Sequence, residues 1–436
     1  MGDKKAIEKA YEEILKHELV PAMGCTEPIA IAYCAAKARA LLGELPDSVL
    51  IEASGNIIKN VKSVIVPNTD GAKGIEAAAA VGIAAGREDL ELEVLSQITD
   101  TQKEFFKQYL EKTPIKIQKS ESGLTLDICV TVYSGVQQAA VRIAGKHTNI
   151  VYMCKNGEVL LDCVEETVRE TCAEVAKNNR VLSDAYALLS IQDIYDYADT
   201  ADIRAVEPVL RRQIEYNTRI ADEGLLEDYG ANIGKVLLKT CGDDVRNRAK
   251  ARAAAGSDAR MNGCELPVVI NSGSGNQGMT VSLPVIEYAK EIGADKDRLY
   301  RALIVSNLTA IHQKKGIGSL SAYCGAVSAG AAAGAGIAYL KGGDFKTIAH
   351  TIVNTLAITS GMICDGAKAS CAAKIAMSVE AGILGYEMYL NGQQFYAGDG
   401  LVSKGVENTI KNICALGRDG MRETDKEIIH IMTCVD

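Results

Sequence analysis

Apolar residues recur at helical spacing over residues 6–20 and the run stops at Pro21. A second helical pattern covers 27–42. Thr26 is a candidate N-cap there, Pro28 falls in the first turn where a missing N–H costs nothing, and Gly43 is the stop. The period then changes. DSVLIEASGNIIKNVKSVIVP, 47–67, alternates and is rich in β-branched side chains, which predicts extended segments around a turn at SGN. GIEAAAAVGIAAG, 74–86, returns to a helix of small residues. From about 90 to 165 the pattern predicts a strand in ELEVL and a helix in DTQKEFFKQYLEK. Strands follow in PIKIQKSE, TLDICVTVYS, QAAVRIAG and NIVYMCKNGEVLLD. Beyond 166 nearly everything has helical period, with loops marked by Gly, Asn and Asp. The expected fold class is α+β: a mainly α-helical body from residues 1–85 and 166–436, with a small inserted α+β domain at 86–165.

Composition narrows the partners. A chain of 436 residues with 47% hydrophobic content can bury a large core divided over two or three structural units. Net charge is -9, with both signs interspersed, so no basic stripe is present to neutralise a phosphate backbone. That argues against nucleic acid and for a small-molecule partner. The N-terminal stretch MGDKKAIEKAYEEIL is charged and helical, without an apolar secretory core, and a cytoplasmic location is expected. Thirteen scattered cysteines then point to thiols and metal sites over disulfides. GSLSAYCGAVSAGAAAGAGIAYL, 318–340, is uncharged and long enough to cross a bilayer, but it is mostly Gly, Ala and Ser. It is read as a tightly packed core helix, with no membrane partner.

The candidate chemistry starts from SGMICDGAKASC, 360–371, where Cys364 and Cys371 stand seven positions apart. A continuous helix would separate their Cα atoms by about 10 Å, awkward for a shared metal centre. Gly366 suggests a later helix start, with Cys364 in a loop and Cys371 near the first turns. The spacing matches no standard zinc or ferredoxin pattern, so buried core thiols and metal ligands both stay open. KKGIGSLSAYCGAVSAG places Cys324 just past a glycine-punctuated loop at a helix start. PAMGCTEPIAIAY places Cys25 directly before Thr26, where the helix dipole should favour thiolate. Cys34, Cys129, Cys154, Cys163, Cys172, Cys241, Cys264 and Cys414 are read as core.

SGSGNQG, 272–278, precedes a helical run, and its glycines let backbone N–H groups approach an anion. Ser274, Asn276 and Gln277 could add donors for a carboxylate or phosphate. The pattern has neither Walker nor GxGxxG register. His312 in TAIHQKKGIG is either an acid–base group or a structural histidine, its lysine neighbours reading as a solvated face. Asn56 is a turn residue or a substrate contact.

Taken together, MGCTEPIAIAY, SGN, NSGSGNQG, HQKKGIGSLSAYCGAVSAG and SGMICDGAKASCAAKIA resemble the iron-sulfur L-serine dehydratase α-chain superfamily. The likeness is greatest to its L-cysteine desulfidase branch and covers about 1–85 and 230–400. It implies that the helical body is catalytic and that the insertion corresponds to a small substrate-sensing, regulatory type of domain. It further implies that Cys324, Cys364 and Cys371 ligate a 4Fe-4S cluster with one iron open. Cys25 matches the desulfidase branch's extra cysteine, a base or temporary fourth ligand, and Asn56, Ser274, Asn276 and His312 fall in motifs of the substrate pocket. The implied reaction is β-elimination on L-cysteine, giving pyruvate, ammonia and sulfide. L-serine dehydration on the same cluster is the near alternative. From other classes come a pyridoxal phosphate lyase using Lys368 and a non-catalytic iron-sulfur or redox sensor. The small-residue helices are compatible with a homodimer.

Overall fold

The structure, a computed structural model, describes residues 2–23, 26–124, 126–145, 147–164, 184–318 and 321–433. It is an α+β, mainly helical fold built on two large hydrophobic cores. The chain begins with α1 (Gly2–Glu18), β1 (Pro21–Met23), α2 (Thr26–Leu42), β2 (Ser48–Ala53), α3 (Gly55–Val61), α4 (Gly74–Ala85) and α5 (Asp100–Lys112). There follow β3 (Ile115–Lys119), β4 (Asp127–Ser134), β5 (Gln137–Ala144), β6 (Ile150–Lys155) and β7 (Glu158–Asp162).

Six of these strands form one sheet in the order β3-β2-β4-β5-β6-β7, antiparallel except for the parallel β2–β3 pair. Its alternation is plain in β4 and β5, where Ile128, Val130, Val132, Ala139, Val141 and Ile143 are fully buried in the core shared with α2 and α4. That core draws in residues the sequence assigns to the helical body. Strand β2 buries every second residue and lies between β3 and β4, because its backbone groups need partners on both sides. Residues 26–85 therefore pack with the strands, not apart from them at residue 86.

Two local expectations also change. The SGN turn is instead the start of α3, with Ser54 as N-cap accepting from the Ile57 N–H at 3.5 Å. Ile57, Ile58 and Val61 supply its buried face. ELEVL is no strand: Glu88–Glu93 forms a 3₁₀ helix, and Val94 and Leu95 are buried in the sheet core as anchors.

The helical body comprises α6 (Ile191–Thr200), α7 (Glu207–Leu226), α8 (Ile233–Cys241), α9 (Val245–Met261), β8 (Pro267–Val269), α10 (Gly275–Glu291) and α11 (Lys296–Ile317). It continues with α12 (Gly325–Leu340), α13 (Phe345–Thr359), α14 (Ser370–Leu390), α15 (Val406–Ala415) and α16 (Arg422–Thr433). Strand β1 pairs antiparallel with β8, tying the N-terminus to this body. Helix α12 is buried along nearly its whole length and crosses α14 backbone to backbone. A Cβ on Gly330 would lie 2.3 Å from the Ser378 carbonyl oxygen. The small residues of 325–340 thus serve close helix packing. Among the described residues, no helix is long and apolar enough to cross a membrane.

The described cysteines are all free thiols. Cys34, Cys264 and Cys414 are buried, and Cys129, Cys154 and Cys163 are half-buried. Cys241 is exposed at the end of α8, against the core expectation, because the chain turns away at Gly242. Cys172 lies outside the described residues.

Candidate functional site

An isolated antiparallel bridge between Tyr323 and Ile363 brings two cysteine segments together. The Cys324 N–H donates to the Met362 carbonyl at 3.1 Å, and the Cys364 N–H donates to the Ala322 carbonyl at 2.6 Å. Side chains alternate across such a ladder, so Cys324 and Cys364 share the face opposite Tyr323 and Ile363. As diagonal neighbours they stand roughly 7–8 Å apart. Cys324 is also the N-cap residue of α12. Cys371 lies in the first turn of α14, its thiol 3.6 Å from the Gly366 carbonyl oxygen. The helix does start after Gly366. That glycine has φ +93°, and a Cβ there would meet the Lys59 carbonyl oxygen at 2.1 Å, so the loop can lie on α3 only without a side chain.

The thiols act on one another. Burial pushes Cys324 up to about 12, with nearby Cys364 adding to the rise. Burial likewise raises Cys371, opposed by the backbone at Lys368 and reinforced by Cys364. Positive charge beside Cys324 and Cys371 opposes that rise. Lysines stand close by: Lys374 Nζ reaches Asp365 Oδ1 at 2.5 Å and the Ile363 carbonyl at 2.9 Å. Lys314 is pushed below the usual lysine range by burial, an effect that Cys364 and Cys324 oppose.

The glycine-rich segment forms a tight turn. Asn271 and Ser274 exchange backbone hydrogen bonds of 3.1 and 3.0 Å, while Ser272 and Gly273 take φ +50° and +74°. Two consecutive left-handed residues define a type I′ turn, and a serine in the first of them is held there by its surroundings. Asn271 provides the hold, being fully buried and bonded through Nδ2 to Asn307 Oδ1 at 3.0 Å. Ser274 then caps α10 by accepting from the Gln277 N–H at 3.4 Å.

All these parts border one cleft of about 300 Å³. Ser274, Asn276, Cys324, Cys364 and Cys371 line it, so the N-termini of α10, α12 and α14 converge there. The opposite wall comes from the sheet unit through Glu27, Lys59 and Asn60. Among the described residues, Lys59, Arg260, Lys314 and Lys374 line the cleft with one carboxylate, Glu27, so the lining is mainly cationic, although Asp425 and Asp365 pair with Lys59 and Lys374 from outside it.

Among the described residues, no three His, Cys, Asp or Glu side chains close on one point as ligands of a single ion would. Three thiols lining one cleft, with lysines and helix N-termini beside them to offset negative charge, are the kind of donor set that would hold an iron-sulfur cluster. The donor set present fits such a cluster.

Asn56 and His312 are not brought to the cleft lining. Asn56 sits one turn earlier on α3 than Lys59 and Asn60, with its Oδ1 buried and unbonded. His312 Nε2 lies 2.8 Å from Glu407 Oε2, and Glu407 also accepts from the Ile191 N–H at 2.7 Å, which fastens α11 to α15 and α6. Cys25 lies outside the described residues, and Glu27, two positions on, is part of the lining. Lys368 pairs with Asp365 Oδ2 at 2.7 Å. Sequence reasoning overlooked Arg260, Lys59 and Lys374, and took Lys314 for a solvated face.

Residues 89–430 match the family described as serine dehydratase alpha chain. Similar proteins include a UPF0597 protein of Desulfitobacterium hafniense (strain Y51), 57% identical over 424 residues and covering 97% of this chain and 96% of the relative. Another, from Lachnoclostridium phytofermentans, is 51% identical over 429 residues, covering 97% and 99%. A third, from Treponema denticola, is 47% identical over 435 residues, covering 99% of each.

Proposed function

Because the chain belongs to the serine dehydratase alpha chain family, we propose that its cationic cleft is the active site of an iron-sulfur lyase converting L-cysteine to pyruvate, ammonia and sulfide. The observation that carries this is the meeting of Cys324, Cys364 and Cys371 with the 272–278 turn around one cavity. In this reading the three cysteines hold a 4Fe-4S cluster, which when bound supplies an iron without a protein ligand as a Lewis acid.

The chain's own contribution is charge, position and proton transfer. Lys314 and Lys374 and the N-termini of α12 and α14 offset the thiolates. N–H groups of the 272–278 turn receive the substrate carboxylate. Cys25, the cysteine of MGCTEP, is the base in this reading, and its sulfur takes the proton from the substrate Cα. Loss of the β-substituent as sulfide leaves an aminoacrylate, which tautomerises and is hydrolysed by water to pyruvate and ammonia. The MGCTEP motif favours cysteine as substrate, and the family's description favours serine as the second reading.

Anaerobic reconstitution tests both. Wild type should carry about four irons and four sulfides per chain, Cys364→Ser markedly fewer, and pyruvate should form faster from L-cysteine than from L-serine. Faster turnover of serine transfers the assignment to serine dehydration. A chain that retains neither iron nor sulfide ends the cluster reading.

A further inference from the structure

We propose that Arg260 and Gln277 form a two-point clamp for the α-carboxylate and α-ammonium of the amino-acid substrate. The inference rests on the amino-acid lyase reading of the cleft and adds the residues that read the substrate's head group. Both side chains line the cleft, and each carries a buried polar atom without a hydrogen-bond partner: Nε of Arg260 and Oε1 of Gln277. Leaving such atoms unsatisfied is unfavourable unless a ligand completes them. Arg260 makes no ion pair among the described residues, and its Nη1 reaches only Asn276 Oδ1, at 3.5 Å. Two other cations of the lining, Lys59 and Lys374, are each matched by an aspartate, Asp425 and Asp365.

Two glycines make room for this pair. A Cβ on Gly275 would stand 2.3 Å from Arg260 Nε and 2.8 Å from its Cδ. A Cβ on Gly325 would stand 2.7 Å from both Cδ and Nε2 of Gln277. Arg260 thus rests against the first residue of α10, beside the turn whose N–H groups attract an anion. Gln277 rests against the residue following Cys324. The guanidinium fork suits a carboxylate, and an amide oxygen accepts from an ammonium. A dicarboxylate or phosphate would satisfy the arginine but set its own oxygens against Gln277 Oε1, so the combination selects a zwitterionic α-amino acid.

The test uses reconstituted protein of matched iron content and compares L-cysteine, L-cysteine methyl ester and 3-mercaptopropionate, which lacks the amino group. Wild type should prefer the free acid over the ester. In Arg260→Gln, kcat/KM for the acid should fall about 100-fold while that for the ester changes less than about threefold, with Arg260→Lys between. Gln277→Met should weaken L-cysteine and leave inhibition by 3-mercaptopropionate unchanged. A merely structural role would affect all three ligands alike, and that result, or an acid preference surviving in Arg260→Gln, overturns the clamp. Calorimetric titration of L-cysteine into the chain without reconstitution separates this inference from the lyase reading. If wild type turns over neither amino acid, binding that is lost in Arg260→Gln and retained in part by Arg260→Lys still supports the clamp. Absence of binding by wild type overturns it.

Discussion

The turn at 271–274 depends on amides that never touch the cleft. Asn307 Nδ2 donates to Gln213 Oε1 at 2.8 Å, Gln213 Nε2 returns a bond to Asn307 Oδ1 at 3.0 Å, and the same Oδ1 receives Asn271. Asn307→Leu keeps the volume but strips partners from two buried amides. Unfolding in urea should show a loss of roughly 2–4 kcal/mol, and KM for substrate should rise because the turn loses its anchor. At this scale the sequence disclosed the residues that carry their own signature: SGSGNQG as a glycine-rich turn ahead of a helix, Cys324 and Cys371 at helix starts, and Cys364 in the loop between them. Arg260 gave no such signal, since ARAAAGSDARMNG places it in an alanine-rich helix where arginine ordinarily faces water. What brings it to the cleft is the missing side chain at Gly275, a fact of tertiary packing. His312 and Lys314 lie two residues apart on α11 and so face different directions, and choosing between them required knowing where Glu407 packs.

Among the elements, α8 and α9 are joined by Asp258, whose Oδ2 accepts from the Ile233 N–H at 2.6 Å at the first residue of α8. Burial pushes this carboxyl up from 3.8 to about 6, against the backbone N–H groups of Ile233, Ala231 and Gly234. The folded chain therefore holds the proton more tightly than the unfolded one. The resulting stability is fully present below about pH 4 and is lost as pH rises through about 6. Melting temperatures of wild type and Asp258→Asn between pH 4 and 7 should diverge across that window, with wild type losing ground as pH rises. Equal slopes would contradict it. Most helices and the strands β3 to β7 were legible because their periods of 3.6 and 2 are long enough to distinguish. The failures were short: residues 54–61 carry Ile57 and Ile58 side by side, which suits either period, and 91–95 alternates but has no strand to pair with.

Across the whole molecule, the cleft lies where the sheet unit meets the helical body, and α16 fastens the two. Lys59 is 3% exposed and its Nζ meets Asp425 Oδ1 at 2.6 Å, while Gly55 packs against Ile429. Asp425→Asn should cost roughly 1–3 kcal/mol, since the lysine would stay buried without its counter-charge. Amide exchange across 55–61 should accelerate in that variant. Lys59→Met combined with Asp425→Leu should recover much of the loss. The division at residue 86 was not legible because β2 reads as a strand wherever it pairs. Only the sheet order shows that its neighbours come from 115–134.

This latch imposes an order of assembly. Every residue lining the cleft is synthesised before Asp425. While the ribosome is still adding residues 376–424, Lys59 keeps its hydration shell and α3 lacks the helix that pins it. The contact that holds Lys59 on the wall facing the three cysteines therefore forms only after every described residue of the lining has been made.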